Sequence, residues 1–310
     1  MEKIFESLAG WHKAGLKTAL AVVTKTWGSA PRGAGSLMAI AGDGRFEGSV
    51  SGGCVEGTVI AEANQMAHTG GSKILSFTVS SEQAWEVGLA CGGQIDILIV
   101  ALSGDIGADC QSVLTAIADR QSGRISIDLH TGALAFDQTE TPGDLAFDDT
   151  QLMLPLHPKH RLMIVGAVHI AQHLAPMAID VGYDVTVIDP RAAFTQSRSF
   201  GESHLVEDWP DELFARLRPD AHTGVVTLTH DPKIDDAALI PALESPAFYI
   251  GSLGSKKTHA ARLERLVEKG FSGEDLQRIR GPVGLDIGAK TPAEIAIAIL
   301  AEVTLVRRCS

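Results

Sequence analysis

The sequence predicts an α/β protein, an N-terminal α+β domain followed by a Rossmann-like, doubly wound parallel-sheet domain. From residue 161 onward short apolar runs alternate with helical periodicities, the pattern of parallel βα units. Before that point apolar runs come in pairs around turn dipeptides and mix with isolated helices, the pattern of an α+β unit. The 310 residues, 45% hydrophobic and 21% charged, suffice for two cores.

IFESLAGWHKAG has helical spacing, and TALAVVTKT reads as a buried strand. SLMAIAGDGRFEGSV reads as a hairpin turning at Asp43-Gly44. Thr58 to His68 is expected to be helical, SKILSFTV and QIDILIVAL to be strands, and DCQSVLTAIADR a helix. RISIDLHTGALAF and QLMLPL supply further strands. The acidic, turn-rich stretch 137–150 and HPKH at 157–160 mark the boundary, placing the domains at 1–156 and 157–310. The second half reads strand RLMIVGA, helix HIAQHLAPMAIDVG, strand DVTVIDP, helix DELFARL and strand GVVTLTH. Helix DDAALIPALE, strand AFYIGSLG and helix SKKTHAARLERLVEKG follow. The last helix is announced by TPAE, with Thr291 as N-cap, Pro292 in the first position and Glu294 closing a capping box.

A formal net charge of -12 argues against binding to nucleic-acid backbones. The amino terminus carries acids and lacks a signal-peptide core, and no apolar run reaches the ~20 residues of a membrane span, so a cytoplasmic location without membrane partners is expected. The four cysteines show no CxxC spacing, which leaves free thiols as the expectation.

Three glycine-rich loops stand out in the first half: GSAPRGAG (28–35) with Arg32, GSVSGGCVEG (48–57), and LACGGQ (89–94) with Cys91, Gly92 and Gly93. Such glycine density marks backbone that bends unusually or approaches a ligand closely. If the loops converge, Arg32, Ser51, Gly52, Gly53, Cys54, Glu56 and the Cys91–Gly93 stretch form a pocket of amides, thiols and one guanidinium. Cys54 is expected to begin a helix, which favours its thiolate, and with Cys91 it would suit the pocket to an anionic, sulfur-rich or metal-bearing ligand. The competing reading is a tight hairpin exit with a buried structural cysteine.

In the second half VGAVHIAQ occupies the first βα turn. Gly166 matches the first glycine of a dinucleotide fingerprint, whereas Val168 and Ala171 replace the second and third. Asp189 stands where a ribose-binding acid would, and His169 and Arg191 join it as candidate cofactor residues. A further glycine turn, GSLGSKK, offers Gly251, Ser255 and Lys256 to an anion, against the alternative of a solvated basic first turn. His230 follows another strand end.

Together GSAPRGAGSLMAI, GSVSGGCVEG, LACGGQIDILI, YIGSLGSKKTHAARLERL and GPVGLDIGAKTPAEIAIAILAE resemble the XdhC/CoxI family, accessory proteins of xanthine dehydrogenase and related molybdenum hydroxylases. That family usually carries a turn resembling GAGHIGQ, from which Val168 and Ala171 depart. The resemblance implies a chaperone rather than an enzyme, one that binds and protects molybdenum cofactor (molybdopterin), with Cys54 and Cys91 as candidate molybdenum or sulfur ligands. It would support sulfuration of the cofactor by a cysteine desulfurase and deliver it to an apo molybdenum hydroxylase of the xanthine dehydrogenase type, working as a homo-oligomer, in first place a dimer. The alternative is an NAD(P)-dependent oxidoreductase using the second domain, with His230 as acid–base residue.

Overall fold

A computed structural model describes residues 1–28, 32–53, 55–79, 93–138, 142–196 and 198–309. The chain divides into two compact units, Met1–Pro158 and Lys159–Ser310.

Unit 1 opens with α1 (Glu2–Lys13), β1 (Thr18–Gly28), β2 (Leu37–Ala41) and β3 (Phe46–Gly48). Then come α2 (Glu56–Thr69), β4 (Ser72–Val79), β5 (Gly93–Leu102) and α3 (Ile106–Ala118). The strands form an antiparallel sheet in the order β3-β2-β1-β5-β4. The strand period of two explains why β1 is apolar on both faces from Ala19 to Val23. Leu20 and Val22 pack with Phe5 and Leu8 of α1 and Val113 of α3. Ala19, Ala21 and Val23 face the other way, against Val59 and Ala63 of α2. The hairpin expected at Asp43-Gly44 is β2–β3. A second antiparallel sheet contains β6 (Gly123–Asp128), β7 (Leu134–Asp137), β8 (Ala146–Phe147) and β9 (Gln151–Leu156), in the order β7-β6-β9-β8.

Unit 2 alternates β10 (Arg161–Val165), α4 (His169–Asp180), β11 (Asp184–Ile188), α5 (Ala192–Thr195), β12 (His204–Val206), α6 (Pro210–Leu217) and β13 (Thr223–Thr227). It continues with α7 (Pro232–Leu243), β14 (Tyr249–Ser252), α8 (Lys256–Glu268), α9 (Gly273–Gln277), β15 (Ile279–Arg280) and α10 (Pro292–Cys309). Its sheet is parallel throughout, in the order β12-β11-β10-β13-β14-β15. Numbered within the unit this is 3-2-1-4-5-6, the Rossmann order. The sheet is covered on both faces, by α4 and α10 on one and by α6, α7 and α8 on the other, so β10 and β13 are buried along their whole length. The capping box expected at α10 is present: the Thr291 hydroxyl accepts from the Glu294 amide at 3.3 Å, and the Glu294 carboxylate accepts from the Thr291 amide at 2.9 Å.

Gly48 ends β3 at φ +92, and a Cβ there would stand 2.4 Å from the Leu37 carbonyl oxygen and 2.6 Å from Ile4 Cδ1. Gly48→Ala combines left-handed strain with overpacking and should cost about 2–4 kcal/mol. Gly10 in α1 has nothing within 4 Å of its Cβ position, so Gly10→Ala should stabilise by about 0.5–1 kcal/mol. Thermal denaturation of the two variants should move in opposite directions; an unchanged melting temperature for Gly48→Ala would contradict this packing.

Candidate functional site

In an antiparallel sheet, alternate strand ends meet at one edge. Gly28 at the end of β1 pairs with Gly93 at the start of β5, and Gly93 also pairs with Val79 at the end of β4. Leu37 starts β2 opposite Val22, and Gly48 ends β3 opposite Met38. All three glycine-rich loops therefore leave the sheet at the same end. Arg32 lies in the first of them, exposed and without an ion-pair partner among the described residues. Cys54, Cys91 and Gly92 lie outside the described residues.

The loop before α2 is organised by Glu56. Its Oε1 accepts from the Ser49 hydroxyl and from the amides of Ser51 and Gly52, each at 2.8 Å. Its Oε2 accepts from the Gly53 amide at 2.8 Å and from the Ser51 hydroxyl. The Ser51 oxygen accepts in turn from the Val55 amide at 3.1 Å. Burial opposes ionisation of Glu56, but the hydrogen bonds from Ser51 and Ser49 outweigh it and hold the carboxyl at about 2. Two expectations change as a result. The helix begins at Glu56 rather than Cys54, and the amides of Ser51, Gly52 and Gly53 are taken by a carboxylate of the same chain.

In unit 2 the dinucleotide-type turn is similarly filled. Gly166 has φ +113, and a Cβ there would stand 2.8 Å from Thr229 Cγ2. Asp189 is wholly buried. Its Oδ1 accepts from the Arg191 amide at 3.0 Å and from Arg191 Nε at 2.8 Å. Its Oδ2 accepts from the Ala167 amide and Arg191 Nη2, both at 2.8 Å. A carboxylate offers about four lone-pair positions, and here all are used, so Asp189 does not fit the role of ribose acceptor in this arrangement. Burial opposes its ionisation, but these donors hold its carboxyl below the usual range, and the same pairing raises the pKa of Arg191. Arg191 stacks 4.1 Å from the Phe194 ring centroid, and Arg198 lies 4.8 Å from the same ring while donating to the Ala167 carbonyl. Val168 caps α4 without a side-chain hydrogen bond, and His169 is exposed beside it.

Gly251 lies inside β14, where its missing Cβ makes room for Val283 Cγ2 at 2.5 Å, a packing role. Ser255 caps α8 by accepting from the Thr258 amide at 3.1 Å. Lys256 is exposed and borders a cavity. His230 is exposed in a left-handed conformation, φ 60. Cys110 is buried, which pushes its thiol up to about 12 and removes it from thiolate chemistry, whereas Cys309 is exposed. Among the described residues no three His, Cys, Asp or Glu side chains gather as a metal site, and no helix is long and apolar enough to cross a membrane.

Comparison with known proteins agrees with this architecture. The model of the XdhC and CoxI family matches residues 11–78, and that of the XdhC Rossmann domain matches residues 162–303. The chain is 31% identical over 294 residues to the molybdenum cofactor insertion chaperone PaoD of Escherichia coli (strain K12), covering 95% of this chain and 85% of that protein. It is 28% identical to a probable subunit of xanthine dehydrogenase from Bacillus subtilis (strain 168), covering 93% of each. A crystal structure described as a xanthine dehydrogenase from Bacillus halodurans superposes with a TM-score of 0.75 at 25% identity, over 99% of this chain and 96% of that one.

The Glu56 arrangement carries a pH signature. Its folded pKa of about 2 lies below the unfolded value of about 4.3, so its stabilising contribution is complete above the unfolded value and is lost as pH falls through about 2. Amide exchange at Ser51, Gly52 and Gly53, corrected for intrinsic rates, should therefore stay protected down to about pH 3. In Glu56→Ala it should be fast at every pH; equal protection in that variant would show that other groups hold the loop.

Proposed function

The chain belongs to the XdhC and CoxI family, and we propose from that premise that it binds molybdenum cofactor and serves as the insertion chaperone of a xanthine dehydrogenase-type molybdenum hydroxylase. One observation carries the reading: similarity to a molybdenum cofactor insertion chaperone runs through 95% of the chain, so it includes the glycine-rich loops as well as the Rossmann unit. The cofactor is cargo here. It is protected, sulfurated with a cysteine desulfurase as partner, and passed to the apo-enzyme by a cytoplasmic homodimer.

The described residues narrow what each group does. With the amides of Ser51, Gly52 and Gly53 engaged by Glu56, they do not fit a cradle for the cofactor's phosphate. Arg32 remains available for that anion. Cys54 and Cys91 are the soft sulfur donors in this reading, suited to molybdenum or to a transferable sulfur. The nicotinamide reading is disfavoured by the saturated Asp189 carboxylate, although the strand order is that of a dinucleotide fold.

Chain purified from a host that makes the cofactor should release pterin fluorescence after acid oxidation, and its absence would overturn the chaperone reading. Cys54→Ser replaces the thiol by a hydroxyl that is neither soft nor ionised near neutral pH. The expected result is a loss of bound pterin of about tenfold or more, the order expected when one specific ligand contact worth 1.4 kcal/mol or more is removed, at an unchanged melting temperature. A variant that melts early yet binds pterin normally per folded molecule would make Cys54 a core residue.

A further inference from the structure

The last helix of unit 2 turns one face inward and another outward. Ala296, Ile299, Leu300 and Val303 of α10 lie in the core with α4 and the sheet. On the outer face Ile297 is 51% exposed and Leu305 52%, with the small Ala301 partly buried between them. Together with Leu285 and Met177 they line an open groove of about 650 Å³ that is apolar almost throughout. Glu302, inside the same helix, accepts from the Gly284 amide at 2.9 Å, and the Leu285 amide donates to the Ala298 carbonyl at 3.2 Å, so the rim of the groove is fixed to α10. Large apolar side chains grouped on one stripe, rather than scattered, mark an interaction surface.

Charges of opposite sign close the two ends of this stripe. Glu294 is exposed in the first turn. Its Oε2 accepts from the Lys290 and Thr291 amides at 2.8 and 2.9 Å, and its Oε1 has no hydrogen bond among the described residues. Arg308 is exposed in the last turn and has no ion-pair partner among the described residues, whereas its neighbour Arg307 stacks 4.8 Å from the Tyr183 ring centroid. With about 3.6 residues per turn, Glu294, Ile297, Leu305 and Arg308 all point within about 40° of Ala301 around the helix axis. Glu294 and Arg308 stand seven residues before and after Ala301, and Ile297 and Leu305 stand four before and after it. The stripe runs acid, apolar, small, apolar, base, and is its own complement when reversed.

We propose that α10 pairs antiparallel with α10 of a second copy of this chain, about a twofold axis at Ala301. Glu294 of each copy then meets Arg308 of the other, and Ile297 of each packs on Leu305 of the other. The two Ala301 methyl groups lie at the axis and let the helices approach closely. A twofold interface has to be self-complementary in this way, with residue i on j and j on i, a condition that a foreign partner would not impose. The contact runs along ~21 Å of helix, and over that length the stripes stay together at a shallow crossing angle of about 20°. The proposal rests on the homodimer of the proposed function and gives it a surface; cofactor binding plays no part in it.

Analytical ultracentrifugation of the full chain over a range of concentrations measures the dimer dissociation constant. Leu305→Asp sets a carboxylate against Ile297 of the other copy and should weaken the dimer by roughly a hundredfold. Glu294→Arg and Arg308→Glu each bring like charges together twice in a homodimer, and each should weaken it by about tenfold or more. Mixed in equal amounts, these two variants regain both ion pairs in a heterodimer, so association should return to near the wild-type constant although neither variant associates well alone. All three positions are exposed, and melting temperatures show that each variant is folded. Glu294→Arg also removes a helix cap, whereas Arg308→Glu leaves the cap in place, and loss of a cap cannot produce rescue on mixing. A wild-type chain that stays monomeric at every concentration would overturn both this surface and the homodimer, while bound pterin still tests the chaperone role. A dimer that Leu305→Asp leaves intact, or a mixture of the two charge variants that forms no heterodimer, would overturn the surface and leave the homodimer standing.

Discussion

Backbone amides in irregular loops must find acceptors, and this protein meets that constraint with carboxylates of its own chain. Glu56 takes the amides of Ser51, Gly52 and Gly53; Asp189 takes those of Ala167 and Arg191; Glu302 takes that of Gly284. Each acid lies at or near the start of a helix, just beyond a strand, or inside a helix facing a loop, and each joins a glycine-bearing stretch to a regular element. The cost is desolvation of the charge, which the donors offset. The gain is that these amides are held within the fold, which lowers the ordering entropy that would oppose binding.

That device changes how glycine-rich loops are understood. Glycine turns with free amides next to a helix start are anion sites when the amides point outward. In both units the most suggestive turn already holds an anion, Glu56 in one and Asp189 in the other. On the proposed function, the group that the internal network leaves over for an anion in unit 1 is Arg32.

Much of the fold was legible because it follows from periodicity and caps. Runs such as LMIV and GVVT, buried on both faces and separated by helical periodicities, leave few alternatives to a parallel sheet. The short elements β12, α9 and β15 were not legible, since two to five residues carry no period. The acids were visible as residues and misleading as roles. Glu56 and Asp189 stand where ligand-binding acids stand, and only their coordinates show that the partners lie within seven residues or, for Ala167, across a strand. A guanidinium two positions after Asp189 was the available signal for an internal pair. GPVGLDIGAK offered none, because its shape depends on Glu302, which lies beyond it in the following helix.

On the chaperone reading the protein carries a ligand in order to surrender it, which sets opposing requirements, and the internal carboxylates address both. A preformed loop binds without ordering itself, which favours capture. Amides already satisfied by Glu56 add nothing to the gross attraction, which limits the depth of the bound state and so favours release. Had the same three amides been free, each charge-assisted hydrogen bond to a phosphate would have deepened that state by roughly 1.5–3 kcal/mol, slowing transfer by an order of magnitude or more per bond. On the chaperone reading, then, Glu56 is a residue that moderates affinity while preserving shape, and that role requires it to be ionised and to stay inside the loop.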